Sequence, residues 1–105
     1  MYMWRERIKG DTAVDVVDTG LSPLDFVDGF KIRPGFFRMN GAYETSNGVS
    51  FTINSHGATR CTLLLFRSME KEPYARIPYP DSYRIGDTYS MLVFDIKITD
   101  FEYAF

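Results

Sequence analysis

A single cysteine, Cys61, leaves the chain without an internal disulfide framework, and a single histidine, His56, cannot build a His-based metal site. Neither sign of charge dominates, with 12 bases against 14 acids. The densest basic spot, Lys31-Ile32-Arg33 with Arg38 nearby, reads as a solvated strand edge. The basic face that displaces counterions from nucleic-acid phosphates is therefore missing. Long apolar runs are missing too, which excludes a membrane-spanning helix, and the opening Met-Tyr-Met-Trp-Arg-Glu-Arg lacks the apolar region of a signal peptide. A reducing, cytoplasmic setting is the default expectation. Helical periodicity of any length is also absent.

What the chain has in excess is aromatic residues, 16% of the total from nine Phe, seven Tyr and one Trp. Such side chains fit pleated, half-buried surfaces and predict a β core. From Gly48, Val49, Phe51 and Ile53 alternate with Ser50, Thr52 and Asn54, the pattern of a strand with one apolar and one wet face. Ser55 to Ala58 supplies turn chemistry around Gly57. A second strand follows with Cys61, Leu63 and Leu65 on one side and Thr62, Leu64 and Phe66 on the other. Being apolar on nearly both faces, it belongs in the middle of a sheet.

The remaining segments are read in the same way. Pro34-Gly35 marks a turn, Phe36 to Tyr43 a strand, and Asn47-Gly48 the turn before the central pair. Arg67 to Glu72 is a solvated loop. Tyr74 to Ile77 is an edge strand, because prolines at 73, 78 and 80 would each deny a central ladder a donor. Tyr79 to Asp87 is loop, and Thr88 to Ile98 a long apolar strand. Phe101, Tyr103 and Phe105 continue the alternation to the last residue, which predicts a piece of a longer protein. It also predicts a bare apolar face and self-association of the isolated chain. Residues 1–30 carry six acids against three bases. They read as a loosely docked N-terminal extension, with a short strand at Thr12 to Val17 and one helical turn capped by Ser22. Residues 31–105 form one domain, and short strands at regular spacing point to an all-β sandwich.

Chemistry-bearing patterns are few. The acids of residues 1–30 lack the Asp-x-Asp-x-Asp-Gly order of a calcium loop. His56 in a turn is expected to be exposed or locally bonded. Cys61 with His56 suggests a nucleophile–base pair, but no third, orienting group accompanies them, so Cys61 reads as a small core residue. None of the glycine stretches has phosphate-loop spacing. No cofactor is implied.

Gly48-Val-Ser-Phe51, then Ser55 with Ala58-Thr59, then Leu63-Leu-Leu-Phe66, resembles the N-terminal domain of isoamylase-type glycogen debranching enzymes, carbohydrate-binding module family 48. The resemblance runs from about residue 31, through Pro34-Gly35, Gly41-Ala42 and Arg76-Ile77-Pro78, to Tyr103-Ala104-Phe105. Tyr89 stands where many members have Trp, and the Trp pair with Lys and Asn that holds glucan in the glycogen-targeting branch has no counterpart. The resemblance implies an immunoglobulin-like sandwich of E-set type with the two central strands in opposing sheets. It also implies a non-catalytic role: packing on the catalytic barrel of the parent enzyme and contacting α-glucan such as glycogen or amylopectin. The parents of that family are α-1,6-glucosidases of glycoside hydrolase family 13, whose two carboxylates stand about 5 Å apart at the end of a barrel of about 250 residues. A chain of 105 residues cannot hold that barrel, and none of its acids sits in that family's catalytic motifs. The candidate sugar contacts are the ring faces of Tyr74, Tyr79, Tyr83 and Trp4, with Arg76, Asp81 and Arg84 flanking Tyr79 and Tyr83. An immunoglobulin-like protein-interaction module with no carbohydrate role is the alternative, since such a fold supports many functions.

Overall fold

The computed structural model describes residues 6–7, 20–97 and 101–105. In chain order the strands are β1 (Glu6–Arg7), β2 (Asp25–Val27), β3 (Phe30–Pro34), β4 (Gly41–Glu44), β5 (Gly48–Asn54) and β6 (Thr62–Phe66). They continue with β7 (Ala75–Pro78), β8 (Arg84–Ile85), β9 (Thr88–Phe94) and β10 (Glu102–Ala104). One 3-10 turn, Asp81–Tyr83, precedes β8. All pairings are antiparallel, in two sheets: β1-β10-β6-β7, and β2-β3-β9-β5-β4 with β8 also on β9. The fold is an all-β sandwich. No helix among the described residues is long and apolar enough to cross a membrane.

The core is built by alternation on both sheets. Ile32, Val49, Phe51, Tyr89, Met91 and Val93 from one sheet meet Leu63, Leu65, Ile77 and Tyr103 from the other in a single buried cluster. The rings of Phe51 and Tyr103 join the layers at 5.4 Å. Each fully buried Leu, Ile or Phe contributes about 1.5–3 kcal/mol. β6 lies inside its sheet, between β10 and β7, as its two apolar faces require. Its outward residues Leu64 and Phe66 form a second buried cluster with Ala104.

Several expectations need correction. The face of β5 read as wet is covered: Ser50, Thr52 and, on β9, Ser90 are all buried. The β3–β4 connection lies across them. The Phe36 N–H donates to Ser50 Oγ at 3.0 Å, Thr52 Oγ1 donates to the Phe36 carbonyl at 3.2 Å, and Thr52 Oγ1 and Ser90 Oγ are hydrogen-bonded at 2.6 Å. Gly35 makes this approach possible, because a Cβ there would run into the Ser50 and Ser90 hydroxyls. The strand expected over Phe36 to Tyr43 is consequently a turn followed by Gly41–Glu44, with the Met39 N–H bonding the Phe36 carbonyl at 2.9 Å. β9 ends at Phe94 because Asp95 takes φ 64°, and Ile98 lies outside the described residues.

Within residues 20–30 the helical turn expected at Ser22 is instead extended chain leading into β2. Leu24 N–H bonds the Ile32 carbonyl at 2.9 Å, and Asp25–Val27 pairs with Phe30–Ile32. The link is a two-residue turn, Asp28-Gly29, with φ 50° and 87°, the type I′ geometry that Asp-Gly favours in hairpins. The strand expected at Thr12 to Val17 lies outside the described residues.

Gly48 sits where a turn was expected, but its requirement is different. The turn is Thr45–Gly48, closed by Thr45 N–H to the Gly48 carbonyl at 2.8 Å and by Thr45 Oγ1 accepting the Gly48 N–H at 3.0 Å. Gly48 has no positive φ; a Cβ there would strike the Val93 carbonyl and Phe94 Cα of β9. Gly48→Ala is expected to cost about 3 kcal/mol by overpacking. Gly29→Ala, with open space around it but φ 87°, should cost about 1 kcal/mol. Urea titration of both variants checks the order; equal losses would contradict the close approach.

Candidate functional site

The three candidate tyrosines separate by burial. Tyr79 is 5% and Tyr83 2% exposed, so neither ring presents a face to a sugar. Both expectations are corrected, and the cause is local. Tyr83 N–H bonds the Pro80 carbonyl at 2.9 Å, which curls the loop into its 3-10 turn and turns the ring inward. Tyr79 hydroxyl donates to the Phe51 carbonyl at 3.0 Å, and its ring meets Tyr89 edge-on at 5.8 Å. Tyr83 hydroxyl donates to Asp25 Oδ2 at 2.5 Å. Burial raises the pKa of both phenols, and for Tyr83 the bond to the Asp25 carboxylate raises it further. Both stay protonated donors that anchor the loop. Trp4 lies outside the described residues.

Tyr74 is the candidate that reaches solvent, at 52% exposure. Its N–H bonds the Leu65 carbonyl at 2.7 Å, so its backbone extends the β6–β7 ladder while Pro73 ends the preceding loop. Its ring stacks on Phe101 at 5.4 Å with 29° between planes. The Arg67 guanidinium lies 4.1 Å from the Tyr74 centroid and 5.9 Å from that of Phe101. The second distance is far shorter than the other two separations laid end to end. Arg67 therefore covers the pair from one side rather than sandwiching Tyr74 against Phe101. Cation–π attraction of this kind contributes about 0.5–1 kcal/mol at an exposed site.

Tyr74 also lines a cleft of about 450 Å³ with Asp28, Phe30, Pro73, Ala75 and Arg76. The cleft lies where the Asp28-Gly29 turn of one sheet faces the start of β7 in the other. It brings together two aromatic rings, a carboxylate and a guanidinium. Rings supply apolar surface for the C–H face of a sugar, and the two charged groups supply an acceptor and donors for hydroxyls. Arg67 and Phe101 carried no signal in the sequence, because nothing in their spacing from Tyr74 announces a contact. Asp28 and Phe30 were readable in part, since Asp-Gly is a hairpin signal.

The other polar cluster has a structural explanation. His56 Nδ1 lies 2.8 Å from Asp87 Oδ2, Ser55 N–H bonds the Asp87 carbonyl at 2.7 Å, and Arg84 Nε donates to the Gly86 carbonyl at 2.6 Å. The first two bonds tie the turn after β5 to the turn before β9, and the third lies within that second turn. Cys61 packs against the core, and its burial raises the thiol pKa to about 11 against the pull of the Thr62 N–H. Such a thiol is not poised as a nucleophile. Among the described residues no three His, Cys, Asp or Glu side chains group as a metal site requires.

No protein-family model matches this chain, and neither the curated proteins nor the solved structures contain a match to it.

Two measurements check these assignments. Iodoacetamide should label native Cys61 far more slowly than the urea-unfolded chain at pH 8, with the native rate climbing until about pH 11; equal rates at pH 8 would contradict the buried thiol. Tyr79→Ala should lose about 4 kcal/mol of stability and Tyr74→Ala about 1 kcal/mol or less. Similar losses would mean that Tyr74 is an anchor like the others.

Proposed function

We propose that this chain is the non-catalytic N-terminal accessory domain of an isoamylase-type glycogen debranching enzyme, an immunoglobulin-like sandwich that packs on the catalytic barrel and contacts α-glucan through the Tyr74 cleft. The observation that carries the sugar contact is that cleft, where an exposed, laterally supported ring stands beside Asp28 and Arg76. The family reading draws on the ordered motif series from Gly48 to Phe66. Support comes from the two strands that hold its ends: β5 lies in the six-stranded sheet and β6 in the facing one, the arrangement that the resemblance implies.

In this reading the domain performs no bond cleavage. Tyr74 offers its ring to one glucose unit, Arg76 donates to hydroxyls and Asp28 accepts from them. The chemistry belongs to the partner barrel, and the domain holds polymer near it.

Native electrophoresis in gels containing glycogen or amylopectin tests the contact. The chain should be retarded, Tyr74→Ala should migrate as in a plain gel, and Arg76→Ala should fall between the two. Absence of retardation for the unaltered chain would remove the sugar contact and leave the packing role. The encoded sequence after Phe105 tests that role. A continuation into a barrel with family-13 motifs supports it, whereas another sandwich repeat would favour an interaction module.

A further inference from the structure

We propose that Arg67 is a positioning residue of the Tyr74 cleft: with Phe101 it occupies one face of the Tyr74 ring and reserves the opposite face for a glucose unit. The identity of the ligand rests on the glucan reading above, whereas the support of the ring follows from geometry alone.

The β6–β7 connection sets the two side chains beside each other. Leu65 pairs with Ala75, and the Tyr74 N–H bonds the Leu65 carbonyl at 2.7 Å, so the chain leaves β6 at Arg67 close to where Tyr74 brings it into β7. The Glu70 N–H closes a turn on the Arg67 carbonyl at 3.1 Å, with Met69 at φ 70°, and this starts the return of the chain. Arg67 is exposed, and its guanidinium lies on the two rings.

Three separations show which face is taken. Arg67 Cζ lies 4.1 Å from the Tyr74 centroid, closer than a group in the plane of the ring can come, so it stands over a face. Phe101 lies 5.4 Å away with 29° between planes, an offset stack. The third separation, 5.9 Å from Arg67 to Phe101, is shorter than a right angle at the Tyr74 centroid would give. Groups over opposite faces would stand further apart, so both cover the same face. The ring is nevertheless 52% exposed, and it lines the cleft while Arg67 and Phe101 do not. The cleft therefore meets Tyr74 away from its two supports. The guanidinium acts on binding through the ring: without it the ring gains orientations that stacking of a sugar must remove.

Proton NMR of the 105-residue chain tests the support without any sugar. The Arg67 Hδ signals should lie upfield of those of the other arginines, through the Tyr74 ring current, and should move back in Tyr74→Leu. Titration with maltoheptaose, a short linear α-glucan, tests the consequence. The unaltered chain should bind, and Arg67→Ala, with unchanged circular dichroism, should raise the dissociation constant about two- to tenfold, the cost of ordering one side chain on binding. Arg67→Lys should recover part of that loss, and Arg67→Met, which keeps the stem without the charge, should recover less. At saturation the Hδ shift should persist, because sugar and guanidinium take opposite faces. No shift in the free chain, a shift that collapses at saturation, or equal affinity for Arg67→Ala overturns the proposal. If the unaltered chain binds no maltoheptaose while the free-chain shift is present, the glucan reading is overturned and Arg67 is upheld as the support of Tyr74.

Discussion

The pairing of β5 with β9 is the constraint on which the rest of the molecule depends. Seven consecutive residue pairs, from Gly48 with Phe94 to Asn54 with Thr88, fix one register over the full length of both strands. β4 then attaches to the free side of β5, while β3 and β8 share the free side of β9. The register also decides what each layer receives. Val49, Phe51, Tyr89, Met91 and Val93 go to the core, and Ser50, Thr52 and Ser90 line up on the opposite face. Gly48 lets the pair close at its end, where the Val93 carbonyl occupies the space a side chain would fill.

Much of this was legible in the residues, for a definable reason. β5, β6 and β9 are long, and their alternation repeats often enough to specify strands, faces and the central place of β6. Signals that depend on a third segment were not legible. Ser50 and Thr52 have the polarity of a solvated face, and only the passage of Gly35 and Phe36 across them turns them into buried partners. Local rules likewise misjudged Phe36 to Tyr43, where β-forming residues are drawn into a turn by the bonds they make to the sheet. Asp28-Gly29 is itself a two-residue hairpin signal, set within the acidic residues 1–30 that otherwise carry little strand pattern.

The aromatic residues show the same division at the level of the site. Tyr74, Tyr79 and Tyr83 are indistinguishable by composition of their surroundings, each near proline and charge. Their fates diverge through hydroxyl partners. Tyr79 and Tyr83 find acceptors inside the fold, the Phe51 carbonyl and the Asp25 carboxylate, and so tolerate burial. Tyr74 instead gains lateral support from Phe101 and Arg67, which hold a ring in place without enclosing it. A ring restrained before contact loses less rotational freedom when something binds to it.

The row of hydroxyls beneath Gly35 has a consequence for how the chain finds its native state. Sliding β5 by one position along β9 would turn every side chain over. Phe51 would then face the Phe36 peptide, whose N–H and C=O would lose their partners, and Thr52 would enter a hydrocarbon layer without an acceptor. Both errors leave polar atoms dry, so the misaligned sheet carries a penalty on each surface at once. The serines and threonine thus act as a key cut for a single alignment, and they discriminate against near-miss topologies more than they add to the depth of the correct one.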